Sequence, residues 1–561
     1  MKKNKTFISG AIILIISGLV VRLVGFVYRV YLSNLIGAEG MGLFQLVAPV
    51  YSLIIMTLTS GFNIAVSRLT AQETAKGHYV NISRITKCGI ILVILSGLLV
   101  SLLIFINIDF IVNNFLKDRR TYNSILFLVP CIPAIAVSSV LKGYFYGMQN
   151  VTPTAWSQIV EQAVKITFTL LALSKYASRG LEYACAAATA SLALGEIANM
   201  LILLIVYAIN VQKIKAYGNN ALKVSVVKEG NKVGKKSENK TAYKTTHRRG
   251  LMKKRRIIIE IIKIAAPISA NRLIMSLMSA IELIMIPARL MHGGMDYQNS
   301  VELYGKLAGM AMPIITFPAL VTSSLATTLV PAISEALSLK NFRAINYRIT
   351  KSMQLTFVLG FLFMAIFIGY PYEISGLIYR RDNVGDLIFI LSFTCLFFYL
   401  QQTLNGILNG LGKEGKILRN AIIGYLIRIA FVYFLLPIYG IKSYVVAIIL
   451  SSTIVCLLDL ALVIKTTGMA VDLRNWIVKP GIICIIMCLS GKYIQSFFTI
   501  FVDNKFLLNI SAIMGTFAAG CILMIVTGSI NIMDIIKMVG LENSWFITKL
   551  RILYLKKMRT M

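Results

Sequence analysis

Nine basic residues stand in or at the rims of long apolar blocks: Arg22, Arg29, Lys142, Lys165, Lys263, Arg272, Arg289, Lys306 and Arg428. A charge at the centre of a bilayer costs about 2.5–3.5 kcal/mol on insertion scales, so such residues face a wet or polar interior. Four acids share that setting: Glu161, Glu196, Glu282 and Asp459. The balance is positive. A guanidinium offers a planar fork that fits phosphate oxygens two at a time. An interior lined by Arg and Lys therefore points to a phosphate-bearing or otherwise anionic ligand, with Arg22, Arg29, Lys142, Lys165, Arg272, Lys306 and Arg428 as the candidate binding residues.

Spacing separates these cations. Arg22 and Arg29 are seven residues apart, which at about 100° per residue returns to almost the same helix face about 10.5 Å along it. Lys165 follows Glu161 by one turn, a spacing that equally allows a local ion pair. Lys263, Arg289 and Lys306 lie near the ends of their blocks, where a long side chain reaches the interface. Arginines that pair with helix-end carbonyls and hold the protein together are the structural alternative to binding.

The elements that must position these groups are transmembrane helices. Hydrophobic residues make up 57% of the 561 and charged ones 14%, whereas soluble domains carry about 25% charged residues. Apolar blocks are predicted near 7 to 36, 41 to 66, 88 to 109, 123 to 147, 154 to 174, 183 to 209, 257 to 290, 303 to 332, 353 to 370, 387 to 410, 420 to 436, 443 to 464, 476 to 490 and 506 to 530. Each approaches or exceeds the length that crosses a hydrocarbon core about 30 Å thick. The first block follows Lys2, Lys3 and Lys5 but continues past Arg22 without a small-residue cleavage site, so it reads as a permanent span rather than a signal peptide. The expected fold is an all-α polytopic membrane protein of about fourteen helices.

Basic residues alternate across the loops, 38 Lys and Arg on one side against 10 on the other. The positive-inside rule puts both termini on the cytoplasmic side of the cell membrane. The stretch 211–256 holds 15 Lys and Arg against Glu229 and Glu238. With little hydrophobicity it reads as a disordered cytoplasmic linker held near anionic lipid headgroups. It supplies much of the net charge of +34, so the basic balance gives no reason to expect nucleic acid.

The sequences on either side of that linker echo one another. Pro49 matches Pro313 and Arg84-Ile-Thr-Lys87 matches Arg348-Ile-Thr-Lys351, both 264 residues apart. Lys142-Gly-Tyr-Phe-Tyr-Gly147 aligns with Asn405-Gly-Ile-Leu-Asn-Gly410, and Lys165 with Arg428, both 263 apart. Six spans between copies preserve their orientation, giving a parallel repeat about an axis along the membrane normal. The expected domains are an N-terminal lobe at 1–210, the linker at 211–256, a C-terminal lobe at 257–465, two further spans at 466–530 and a basic tail at 531–561. Gly143 and Gly147 form a GxxxG that lets helices approach closely.

Enzymatic chemistry finds little footing. No DxD occurs, and His292-Gly-Gly-Met-Asp296 has three intervening residues where the acyltransferase pattern needs four. The eight cysteines lie in or beside apolar blocks and behave as small hydrophobes; the three histidines are far apart in predicted loops. No metal site, disulfide framework or cofactor is expected.

Arg22-Leu-Val-Gly-Phe26 with Tyr28-Arg29, Leu35-Ile-Gly-Ala-Glu-Gly-Met-Gly-Leu-Phe44, Pro49, Tyr304-Gly-Lys-Leu307 and Leu329-Val-Pro-Ala-Ile-Ser-Glu335 carry a resemblance. The chain resembles the polysaccharide-exporter branch, sporulation members included, of the superfamily that also holds MurJ-type lipid II flippases and multidrug and toxin extruders. The resemblance implies fourteen spans in two lobes and the flipping of an undecaprenyl-pyrophosphate-linked sugar, for a sporulation member a precursor of spore cortex peptidoglycan. Arg22 matches the first span-one arginine of the MurJ-type motif, and Arg29 stands one position beyond the second. The arginines that follow the span-two proline are replaced by Val50-Tyr51-Ser52-Leu53, and in span eight only Lys306 stands near the basic position.

Three other readings stay open. A drug or cation extruder needs acids in its cavity, and acids are scarce here. A membrane glycosyltransferase or acyltransferase lacks its motif. A scaffold would recruit wall-synthesis proteins through the basic loop.

Overall fold

The computed structural model describes residues 2–76, 78–176, 179–229, 252–380 and 382–529, with side chains described over 17–76, 78–175, 179–212, 252–380 and 382–529. Every regular element among them is helical. Among the described residues ten helices are long and apolar enough to cross a membrane, and twelve if each of two bent pairs counts as one span. Apolar side chains turn outward as well as inward: Leu95, Leu98, Leu99 and Leu102 on one helix are each more than half exposed, as a lipid-facing surface requires. The protein is a multi-pass, all-α membrane protein.

The first helix, α1, spans Lys2–Ala75 and is broken at Gly37, where φ is 69°. That backbone region suits glycine because it has no Cβ. The portion from Ser17 to Ala75 alone is 59 residues, about 88 Å if straight, so the break divides it into two arms. Then come α2 (Tyr79–Ile106), α3 (Tyr122–Leu128), α4 (Cys131–Gly147), α5 (Thr152–Tyr176), α6 (Leu181–Glu229), α7 (Lys254–His292) and α8 (Tyr297–Tyr304). After a π-helical stretch at Gly305–Ala311 follow α9 (Ala319–Ser338), α10 (Phe342–Gly369), α11 (Gly385–Leu391), α12 (Thr394–Gly410), α13 (Glu414–Phe434), α14 (Ile441–Thr467), α15 (Lys479–Phe498) and α16 (Lys505–Val526). α3 with α4 and α11 with α12 are the bent pairs. α5 is absent from the ten because Gln158, Glu161, Gln162 and Lys165 dilute its apolar run.

One expectation needs correction. The basic stretch after residue 210 does not begin as a linker without structure, since α6 continues to Glu229. Helix propagation adds one hydrogen bond per residue to a turn already nucleated, which composition alone does not register. Residues 230–251 of that stretch, and 530–561 with the expected basic tail, lie outside the described residues.

Packing divides the chain into two compact units, Met1–Gly309 with Val432–Gly440 and Met310–Phe431 with Ile441–Met561. Within the first, α4 crosses the second arm of α1 so closely that a Cβ on Gly143 would stand 2.6 Å from the Asn63 carbonyl oxygen. The Ser139 hydroxyl donates to the Thr59 carbonyl at 2.8 Å along the same seam. Ile82, Ile85, Val140, Leu141, Phe145, Ile257 and Ile261 fill the core beside it.

Within the second unit, α12 crosses α9 in a similar way, and a Cβ on Gly406 would stand 2.6 Å from Ala326 Cα. Tyr399 donates to the Ile315 carbonyl at 2.8 Å. Thr356 and Thr403 hydroxyls meet at 2.7 Å, and Tyr370 donates to the Gly491 carbonyl at 2.6 Å. These bonds satisfy hydroxyls that would otherwise be buried without partners.

Candidate functional site

The first unit gathers charge where five helical segments meet. The first arm of α1 carries Tyr28 and Arg29, its second arm Tyr51, α4 Lys142, α5 Glu161, Lys165 and Thr169, and α6 Glu196 and Asn199. The Tyr51 phenol donates to Glu196 Oε1 at 2.8 Å. Asn199 Nδ2 donates to Glu161 Oε2 at 2.8 Å. Lys142 and Lys165 both act electrostatically on Glu161, and Arg29, Glu161 and Glu196 act on Lys165. Two carboxylates in one apolar setting are tolerable because each accepts a hydrogen bond and cations stand near.

Lys165 does not take the local partner that its spacing allowed. Among the described residues no ion pair joins it to Glu161; its ammonium lies over the Tyr28 ring, 4.5 Å from the centroid. The ring is itself anchored. Tyr28 Oη lies 3.1 Å from Thr169 Oγ1. Thr169 spends its only hydroxyl proton on the Lys165 carbonyl at 2.8 Å, so the phenol is the donor in that contact.

Of the residues singled out from sequence, the structure brings Lys142 and Lys165 to Glu161, with Arg29 acting on Lys165 beside them. Arg22 and Arg272 are exposed on α1 and α7. Lys306 pairs with Glu302 Oε1 at 2.6 Å, one turn back. Arg428 belongs to the second unit, where its guanidinium donates to Ser451 Oγ at 3.1 Å and lies 4.5 Å over the Tyr425 ring. Arg289, expected near a span end, stacks 3.6 Å over Tyr433 within the first unit.

Tyr28, Tyr51 and Asn199 were not singled out as binding residues from sequence. Tyr51 stands two residues after Pro49, where the MurJ-type motif carries arginines, and it serves an acid instead. Asn199 follows Glu196 by three residues, the spacing of neighbours on one helix face. That polar pair inside an apolar block was the available signal.

The second unit joins its own acid to an amide. Asn420 Nδ2 on α13 donates to Asp459 Oδ1 on α14 at 2.7 Å, and Asn420 Oδ1 accepts from Arg419 at 3.0 and 3.2 Å. In the first unit α5 supplies the acid and α6 the amide; here the order is reversed.

Two polar clasps lie outside the apolar blocks of the first unit. Near the Gly37 break, Arg120 holds Glu39 at 2.7 Å and Asp118 at 3.0 Å, while Gln298 donates to Glu39 at 3.0 Å. At the far end of the second arm of α1, Glu73 takes hydrogen bonds from Asn81 at 2.7 Å and Lys76 at 3.0 Å, and contacts His78 at 3.1 Å. Burial alone would raise the Glu73 carboxyl; the hydrogen bonds from Asn81, Lys76 and His78 outweigh it and hold the group below its ordinary value.

Comparison with known proteins agrees with this architecture. Residues 7–337 match the family described as "Polysaccharide biosynthesis protein". Stage V sporulation protein B of Bacillus subtilis (strain 168) is 28% identical over 495 residues, covering 88% of this chain and 90% of the relative. Lipid II flippase MurJ of the same strain is 22% identical over 445 residues, 76% of each chain. A solved structure of lipid II flippase MurJ in an inward closed conformation shares the fold, with a TM-score of 0.62 at 14% identity over 90% of this chain and 97% of that one. The match over residues 7–337 spans more than half of the chain, so this protein belongs to the polysaccharide biosynthesis protein family, as a multi-pass membrane transporter rather than an enzyme.

Proposed function

We propose that this transporter is a flippase. It moves a lipid-linked anionic oligosaccharide or peptidoglycan precursor from the cytoplasmic to the outer leaflet by alternating access, in the service of spore cortex or cell wall synthesis. The substrate is an undecaprenyl-pyrophosphate-linked sugar whose headgroup enters the charged site while the lipid tail stays in the bilayer. The observation that carries this reading is the gathering of Arg29, Lys142 and Lys165 at one intramembrane site in the first unit, where a pyrophosphate would find ammonium and guanidinium donors together. The names of stage V sporulation protein B and lipid II flippase MurJ support it.

Fourteen crossings accompany this reading. The twelve become thirteen when α1 is divided at Gly37 and fourteen when α5 is counted, its polar residues belonging to the site. Both termini are cytoplasmic, and two six-span lobes related by a parallel repeat carry two added spans. The near-equal approaches at Gly143 and Gly406 support the repeat. An inside-negative potential favours both strokes, since an empty cationic site is drawn inward and a loaded, net negative one is driven outward, by about 2.3 kcal/mol per charge per 100 mV.

The carboxylates Glu161 and Glu196 favour a second reading, a multidrug or cation extruder that would hold its cargo on that acid pair. Reconstituted vesicles decide between them. Flipping of labelled lipid-linked precursor is expected in the wild type and lost in Arg29→Ala and Lys165→Ala. Normal flipping by both variants, or efflux of a cationic dye without any flipping, would remove the proposal.

A further inference from the structure

Glu161 and Lys165 stand one turn apart on α5, a spacing at which a glutamate captures a lysine that follows it. In a low-dielectric interior that capture is favoured more strongly than at a surface. It does not happen here. The Glu161 carboxylate turns to Asn199 Nδ2 at 2.8 Å, and the Lys165 ammonium lies over the Tyr28 ring. Asn199 is fully buried on α6, and its own Oδ1 has no hydrogen-bond partner. The amide is thus committed to the acid by one donor bond. Glu196, the other acid that bears on Lys165, is likewise occupied, by the Tyr51 phenol.

We infer that Asn199 is a positioning residue: by holding the Glu161 carboxylate it keeps the Lys165 ammonium available to an anionic headgroup, and Tyr28 stores that ammonium until the headgroup arrives. The inference rests on the proposed flippase reading and adds to it a device that decides whether the site's lysine binds its own acid or the ligand. An aromatic face suits the storage role. It attracts an ammonium but offers no hydrogen-bond acceptor as strong as a carboxylate or phosphate, so a pyrophosphate oxygen displaces it where a carboxylate would compete. The phenol bond to Thr169, one turn beyond Lys165 on α5, fixes the ring where the side chain can lie on it.

The test is a rescue. Asn199→Leu removes the amide while keeping the branching and the number of heavy atoms, frees the Glu161 carboxylate to capture Lys165, and is expected to slow flipping of labelled lipid-linked precursor by about tenfold, the equivalent of about 1.4 kcal/mol. Adding Glu161→Gln removes the competing charge and restores flipping to near the wild-type rate. A merely structural role for Asn199 predicts no such recovery, because the second change leaves the damaged packing in place. Asn199→Ala, alone and with Glu161→Gln, is carried in parallel so that a leucine that fails to fold does not end the test; each variant is scored only as monodisperse protein. Equal defects in the single and double variants, or unimpaired flipping in the single ones, overturn the inference. Lys165→Gln separates this outcome from failure of the flippase reading. If Lys165→Gln flips normally, the reading of the site is wrong; if it is inactive and the rescue fails, only the role of Asn199 is wrong.

Discussion

Tyr51 donates its phenolic hydrogen to Glu196 Oε1 across 2.8 Å, tying the second arm of α1 to α6 beside the charged site. The bond keeps a carboxylate satisfied inside the apolar part of the protein. Replacing Tyr51 with phenylalanine keeps the ring and deletes the donor, so Glu196 is left short of a partner, at a cost of about 1–3 kcal/mol. Tyr51→Phe should therefore melt earlier in detergent than wild type, and Tyr51→Phe with Glu196→Gln should recover part of the loss. Unchanged melting in the single variant would show that the bond contributes nothing to stability.

The Glu73 clasp predicts an acid limb. The hydrogen bonds from Asn81, Lys76 and His78 overcome burial and lower the folded carboxyl below its ordinary value of 4.5. A group whose pKa is depressed by folding stabilises fully above the unfolded value, and that contribution is lost as the pH falls through the folded one. Melting temperatures measured from about pH 6 down to about pH 3 should fall more steeply in wild type than in Glu73→Gln. His78 Nδ1 contacts the same carboxylate at 3.1 Å, so His78→Ala should weaken the clasp without abolishing it. Parallel acid limbs in wild type and Glu73→Gln would refute the assignment.

Arg120 reaches two carboxylates at once, Glu39 at 2.7 Å and Asp118 at 3.0 Å. A lysine is a point charge on a flexible stem and cannot reproduce a planar fork. Arg120→Ala is expected to lose about 1–3 kcal/mol of stability, since two partly buried acids lose their shared donor. Arg120→Lys should recover less than half of that. Full recovery by lysine, read as wild-type melting, would mean that charge alone matters at this clasp and geometry does not.

Apolar block lengths carried most of the helical architecture in the sequence, because the bilayer sets the length of each block and loops interrupt it with polar residues. The charged site was legible in part. A lone basic residue in an apolar run stands out, so Arg29, Lys142 and Lys165 were visible. Which of them converge was not, since convergence depends on the packing of α4, α5 and α6 and the turn at Gly37. Partners such as Asn199 and Tyr51 were hidden for a different reason. Their residue types are common in membrane helices, and only a distance across two helices reveals what they hold. The helical extension to Glu229 escaped because a basic, weakly apolar sequence has no stripe to mark it.

Lys306 and Lys165 look alike in sequence, each a lysine in an apolar stretch with a glutamate four residues earlier, and the structure separates them. Lys306 bonds Glu302 at 2.6 Å, both side chains partly open to solvent. An i,i+4 pair of that kind contributes about 0.3–0.5 kcal/mol and is lost at little cost. Lys165 has its glutamate taken by Asn199 and its ammonium on Tyr28; it shares the influence of Glu161 with Lys142 and feels Arg29 directly. Lys306→Met should therefore flip labelled precursor within about twofold of wild type, the rate change that about 0.4 kcal/mol corresponds to. Lys165→Met should lose most of the activity, read on protein that remains folded and monodisperse. If Lys306→Met proves the more damaging of the two, the ligand's path runs past the π-helical stretch at Gly305–Ala311, and the site in the first unit is not where the headgroup sits.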